Sequence, residues 1–206
     1  MRFRTGVAVA IAVGTGAVLA VLLLSGGSDT PPTPDGPATG PKRVTPDAAP
    51  STHPRGAIAD CSTRSEADFP GAFADRDNLV VGPLVLVGAA AFTPASVIRE
   101  FGGNKFPALV RAGHTVTIQL PRPVRRTADI GWGPNLRGSR RGAGHTITFV
   151  ACRADQPSGS SADGPVTFWS GGVGTRTIGC VPLRIYVDDE PSPRRVGLSL
   201  GLRCRD

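Results

Sequence analysis

His114-Thr-Val-Thr-Ile-Gln-Leu120 and His145-Thr-Ile-Thr-Phe-Val-Ala151 decide the fold. In the first stretch His114, Val116, Ile118 and Leu120 share one phase, while Thr115, Thr117 and Gln119 share the other. The second repeats the pattern with His145, Ile147, Phe149 and Ala151 on one face. Apolar residues at period two mark strands with one buried face. The match extends upstream, as AGHTVTI from Ala112 and AGHTITF from Ala143. Two equivalent strands entering one sheet would give this echo, and so would a shared turn-to-strand solution. It is too short to establish a duplication.

Further strands are expected at Leu79–Val87, Val166–Ser170, Val181–Val187 and Val196–Leu202. The last two flank DDEPSPRR and form a hairpin in this reading. TPASVIREF, from Thr93 to Phe101, is the one helical stretch, with Thr93 as cap and Pro94 at the first helical position. Short strands between Gly- and Pro-containing turns predict an all-β fold, an antiparallel β-sandwich, with a closed barrel as the alternative.

This domain occupies residues 58–206, long enough for a sizeable core. It holds all four cysteines, Cys61, Cys152, Cys180 and Cys204. An even number without C-x-x-C spacing reads as two disulfides of an exported domain and not as a metal site. Three pairings are open. Cys61–Cys204 with Cys152–Cys180 is the expectation, because the first bridge would tie the two ends of the domain together.

Residues 25–57 carry eight of the chain's 20 prolines and no aromatic residue. Such a segment cannot bury enough apolar surface to offset its ordering entropy, so a disordered linker is expected. As polyproline II, at ~3.1 Å per residue, it would hold the domain roughly 90 Å from its attachment. Residues 1–24 supply that attachment: Gly6–Leu24 is a 19-residue apolar run behind Arg2 and Arg4. About 20 residues cross the hydrocarbon of a bilayer as a helix, and flanking arginines stay inside. A single-pass anchor in the cell membrane with an extracytoplasmic C-terminal domain follows. The rival is a cleaved signal peptide, which would leave the domain secreted, but LLLSGGSDT offers no A-x-A-like site.

The segments FGGNKFPALVRAGHTVTI, GPVTFWSGG and CVPLRIYVDDEPSPRRVGLSLG resemble a set of exported, membrane-anchored proteins of high-GC Gram-positive bacteria with no assigned activity. The excess of arginine over lysine, 21 to 2, agrees with a GC-rich genome. The resemblance implies location and a compact domain and carries over no functional residue.

Catalytic patterns are missing. There is no G-x-S-x-G elbow and no S-x-x-K, and cysteines in disulfides offer no thiolate. His114 and His145 could meet as acid and base or as metal ligands, but no H-E-x-x-H or third ligand accompanies them; two histidines hydrogen-bonded at a sheet rim is the better reading. Ser170 precedes the glycine-rich SGGVG, which lacks the G-K-[ST] of a phosphate loop and reads as a loop or bulge beside Trp169. Asp188, Asp189 and Glu190 lack calcium-loop spacing and read as a solvated turn. No enzyme activity, metal or cofactor is expected.

Charge is the more informative signal. The domain counts 18 basic residues against 13 acidic. Between Pro121 and His145, Arg122, Arg125, Arg126, Arg137, Arg140 and Arg141 accompany a single acid, Asp129, with Trp132 among them. Arginine pairs bidentately with phosphate and carboxylate, and an exposed tryptophan would add a stacking surface. This predicts an Arg-rich loop that binds an anionic cell-envelope polymer, with a neighbouring membrane protein as the alternative partner. Nucleic acid is the less natural partner for an external domain. A structural or accessory subunit of a membrane complex is the second function class, and an extracytoplasmic enzyme of unfamiliar type the third.

Overall fold

A computed structural model describes residues 54–133, 144–156, 159–161 and 164–205. The expected anchor and most of the linker lie outside these residues. Among them the fold is all-β, with three sheets, two 3₁₀ turns and one short α-helix.

The first sheet runs β1 (Ala57–Ala59), β8 (Thr146–Val150), β6 (Thr115–Gln119), β12 (Gly179–Val187) and β13 (Arg194–Leu200). The echoed segments become direct antiparallel neighbours, Val116 opposite Phe149 and Ile118 opposite Ile147. The β12/β13 hairpin forms as expected, from Gly179 opposite Leu200 to Ile185 opposite Arg194. Strand β1 pairs parallel with β8, and its first residue is Ala57.

The second sheet runs β2 (Leu79–Val81), β3 (Leu84–Leu86), β5 (Ala108–Arg111), β10 (Gly164–Trp169) and β9 (Gly159–Ser161). The single strand expected over Leu79–Val87 is a hairpin. Gly82 takes φ of 58° at the first turn position and Pro83 follows, a two-residue loop that an L side chain would strain. Both faces of this sheet are buried. Leu84, Leu86, Ala108, Val110 and Trp169 face the main core. Val85, Leu109, Val166 and Phe168 face a second cluster, covered by Ala67, Phe69, Ala72 and Phe73. The cover is pinned by the Asn78 amide donating to Ala72 O (2.9 Å) and accepting from Gly88 N (2.7 Å).

The third sheet consists of β4 (Gly103–Lys105), where no strand is expected, β11 (Gly171–Thr175), expected as a loop or bulge, and β7 (Ala128–Trp132), within the expected Arg-rich loop. Glycine hides β11 from hydrophobic patterning. Its inward residues Val173 and Thr175 and those of β7, Ala128, Ile130 and Trp132, are nonetheless buried.

Helix α1 spans Ala95–Phe101, but Pro94 is its N-cap and no side chain caps it. Thr93 is drawn away by the end of β13. Its amide donates to Ser199 O and its carbonyl accepts from Gly201 N, which leaves it buried as a bridge residue.

Two disulfides form, with a pairing different from the one expected: Cys61–Cys152 and Cys180–Cys204. The parallel register of β1 on β8, Ala59 opposite Phe149, carries Cys61 alongside Cys152. Beyond β13 the chain reverses at Gly201 (φ 78°), and Cys204 folds back over Gly197 to Cys180. In the chain-entropy view the 91-residue separation of Cys61–Cys152 contributes roughly 4–5 kcal/mol, and the 24-residue separation of Cys180–Cys204 about 3 kcal/mol.

Trp132, Phe149 and Trp169 join the three sheets. Phe149 meets Trp132 edge-on at 5.5 Å and Trp169 at 5.1 Å. Phe149→Ala is expected to cost about 3–5 kcal/mol, read as a lower denaturant midpoint with near-UV circular dichroism changed for both tryptophans.

Candidate functional site

The basic stretch is divided by the fold. Arg122–Val124 form a 3₁₀ turn after β6, held by Val124 N to Pro121 O (3.2 Å) and Arg125 N to Arg122 O (3.3 Å). The Arg125 Nε–H donates to Leu120 O (2.8 Å), and His145 Nε2–H donates to Arg125 O (3.0 Å). These bonds fix the turn against the outer face of the first sheet. There Gln119 stands opposite Arg184 of β12, which stands opposite Arg195 of β13.

Arg122, Arg125 and Arg184 thus surround one open cleft of about 490 Å³, with Gln119 and Pro123 completing its wall. No acid lines it. None of the three arginines is in an ion pair among the described residues, whereas Arg194 is engaged by Glu190 and Arg153 by Asp155. Like charges directly opposite across a sheet, as Arg184 and Arg195 are, destabilise it. A bound anion would relieve that repulsion.

Arg126 is exposed beside this cleft but does not line it. Arg137, Arg140 and Arg141 lie outside the described residues. Trp132 is no stacking surface: it is 6% exposed, and its indole N–H donates to Phe106 O (2.7 Å). Strand β7 turns it inward because period two places it in phase with Ile130. Arg184 escaped the sequence reading because it lies far from the Arg-rich stretch, although its phase opposite Leu183 and Ile185 marks it as outward-facing.

The two histidines stay apart. Antiparallel pairing puts Thr115 opposite Val150 and Gln119 opposite Thr146, so His114 and His145 sit at opposite ends of the ladder. His114 Nδ1–H donates to Asp188 (2.8 Å), whose other oxygen accepts from Thr115 N (2.9 Å). Asp188, at φ 46°, and Glu190, paired with Arg194, are thus structural members of the turn, which is more ordered than a merely solvated one. No group of three or more metal-ligating side chains occurs among the described residues.

A larger groove of about 1280 Å³ lies over the third sheet. Its floor is strand β11, so the glycines after Ser170 are extended and form no loop or bulge. Two cross-strand rows, Lys105–Gly172–Gly131 and Gly103–Gly174–Asp129, carry one charge each and otherwise glycine. A Cβ at Gly172 would collide with Asn104 O, and one at Gly174 with the Asp129 carboxylate. One wall is Val97 and Phe101 of α1, and another is the segment Ser62–Ser65.

Compared with known proteins, the chain matches no family model, no curated protein and no solved structure.

Beside this groove Asp60 caps the 3₁₀ turn Cys61–Thr63. The Ser62 hydroxyl, assisted by the Ser62 and Thr63 backbone, holds the Asp60 carboxyl below its ordinary range. A folded-state pKa below the unfolded one means the cap stabilises above the unfolded value and is lost as pH falls through the folded one. Ser62→Ala should move the Asp60 titration upward in carboxyl-detected NMR; an unchanged midpoint would count against this cause.

Proposed function

We propose that this protein is a non-catalytic, membrane-anchored binding domain of the cell envelope, and that its ligand is an anionic envelope component held at Arg122, Arg125 and Arg184. In this reading the two five-stranded sheets stack as a β-sandwich, supported by the buried cluster that Leu84, Leu86 and Val110 of one share with Val116, Ile118 and Leu183 of the other. The apolar run Gly6–Leu24 acts as the anchor and residues 25–57 as the spacer. Two disulfides are compatible with the extracytoplasmic placement.

One observation carries the functional part: three guanidinium groups from two separate chain segments line one cleft without an acid, Arg125 held there by its Nε–H on Leu120 O and none of the three in an ion pair among the described residues. Guanidinium forks grip phosphate or carboxylate oxygens bidentately. The partly open cleft suits a polymer or headgroup that presents such groups serially.

The test is retention of the protein on isolated envelope fractions across a salt series. Binding is expected to saturate and to weaken as salt screens the charges. Arg122→Gln and Arg184→Gln should each lower affinity about tenfold or more, the scale of one charge-assisted hydrogen bond. Retention that ignores salt and both substitutions would instead favour the structural-subunit reading, with a protein partner beside the anchor.

A further inference from the structure

The groove over the third sheet shares no lining residue with the basic cleft. We propose that it binds an uncharged polysaccharide chain, laid along the glycine floor with a sugar ring stacked on Phe101.

Phe101 is the central observation. It is 69% exposed, and the backbone that follows it is hydrogen-bonded on both sides. It ends α1, whose C-cap Gly102 sits in the left-handed conformation with its N–H on Ile98 O (2.9 Å) and its carbonyl accepting from Thr175 N (2.8 Å). Val97, one helical turn earlier, lies on the same side of the groove. An exposed aromatic face presents negative π density to the polarised C–H edges of a sugar ring. It also keeps its ordering cost low, because its backbone does not have to be fixed on binding.

The polar side of the groove fits hydroxyl groups. The Asp129 carboxylate lies against Gly174 and has no hydrogen-bond partner among the described residues. Lys105 stands on the opposite strand, also without an ion-pair partner there. An acceptor and a donor on either side of a bare floor suit a ligand that offers both, as vicinal hydroxyls do. Arg64, whose guanidinium donates to Cys61 O, and Lys105 share the groove with the Asp129 carboxylate, an acid that the all-basic cleft lacks and that repels a polyanion laid over the floor.

The floor decides between a saccharide and an extended peptide. A peptide binding by strand addition needs a free sheet edge. The edge strand β4 that borders the groove offers only Gly103–Lys105, the other edge strand β7 is bridged at Ile130 by Gly144, and the central strand β11 is paired on both sides. What the floor offers is bare backbone at Gly171 and Gly172, with the Asp129 carboxylate against Gly174. A volume of about 1280 Å³ exceeds the ~300–1,000 Å³ of ordinary small-molecule pockets, as expected for a groove that takes several units of a chain.

The experiment titrates the full chain, purified without glycoside detergents, with hexasaccharides of glucose and of N-acetylglucosamine, using calorimetry and amide NMR. Binding of at least one, with shifts at Gly172 and Gly174 and little salt dependence, is expected. Phe101→Ala and Asp129→Asn should each weaken it about tenfold, the loss of one stacking contact or one charge-assisted hydrogen bond. Both side chains are peripheral to the core, so a native amide spectrum will show that each variant folds. Arg184→Gln should leave saccharide affinity unchanged, which separates this site from the basic cleft. No binding of either hexasaccharide, or binding indifferent to both Phe101→Ala and Asp129→Asn, overturns the proposal. So does tighter binding of an uncharged hexapeptide.

Discussion

The structure depends on the contact of Phe149 with two tryptophans. Phe149 belongs to the first sheet, Trp169 to the second and Trp132 to the third, so the three rings close one core where three sheets meet. Each indole also needs a partner for its N–H in an apolar interior, and finds it in a distant backbone carbonyl. Trp132 donates to Phe106 O, and Trp169 donates to Asp60 O at 3.1 Å, 109 residues away. An unmade hydrogen bond at either buried site would cost about 1–3 kcal/mol, so these bonds fix ring orientation as well as contact. Gly171 follows from the same constraint, since a Cβ there would overlap the Trp132 ring.

Around that core the sheets divide their tasks. The second is buried on both faces and serves as scaffold. The outer faces of the first and third remain available, and each carries a cleft. Their chemistries differ because their residue content differs. The first sheet's face presents Gln119 and Arg184 under the turn bearing Arg122 and Arg125, whereas the third sheet's face is paved with glycine beside one exposed phenylalanine. The two clefts are therefore chemically distinct, one lined by arginines without an acid and the other floored by glycine with an acid and two basic residues at its margins. The disulfides hold the segments at the margins: Cys61–Cys152 fixes the chain that leads into the Ser62–Ser65 wall of the groove, and Cys180–Cys204 folds the C-terminal segment onto β13.

Legibility in the sequence followed side-chain content. Strands β6, β8, β12 and β13 alternate large apolar with polar residues and were readable as strands. Strands β4 and β11, rich in glycine, and β1, with two alanines, have no such amplitude. Strand β5, Ala-Leu-Val-Arg, is nearly continuous in its apolar residues because both its faces are covered, so alternation could not mark it. Missing β1 meant missing the register that sets Cys61 beside Cys152, which is why the expected pairing failed. Trp132 was misassigned because its flanking glycines look like a loop, although the phase it shares with Ile130 turns it inward.

The candidate sites show the same limit. The sequence by itself determined the all-β class, the presence of strands on both sides of the echo, the charge surplus and the Arg122–Arg126 segment, because these reside in local pattern and composition. Only the tertiary structure decided that Arg184 joins Arg122 and Arg125, that the two histidines part, and that a glycine-rich stretch becomes the floor of a groove. Those outcomes depend on which strands pair and in what register. Pairing is set by long-range burial around Trp132, Phe149 and Trp169, and no local window of sequence contains it.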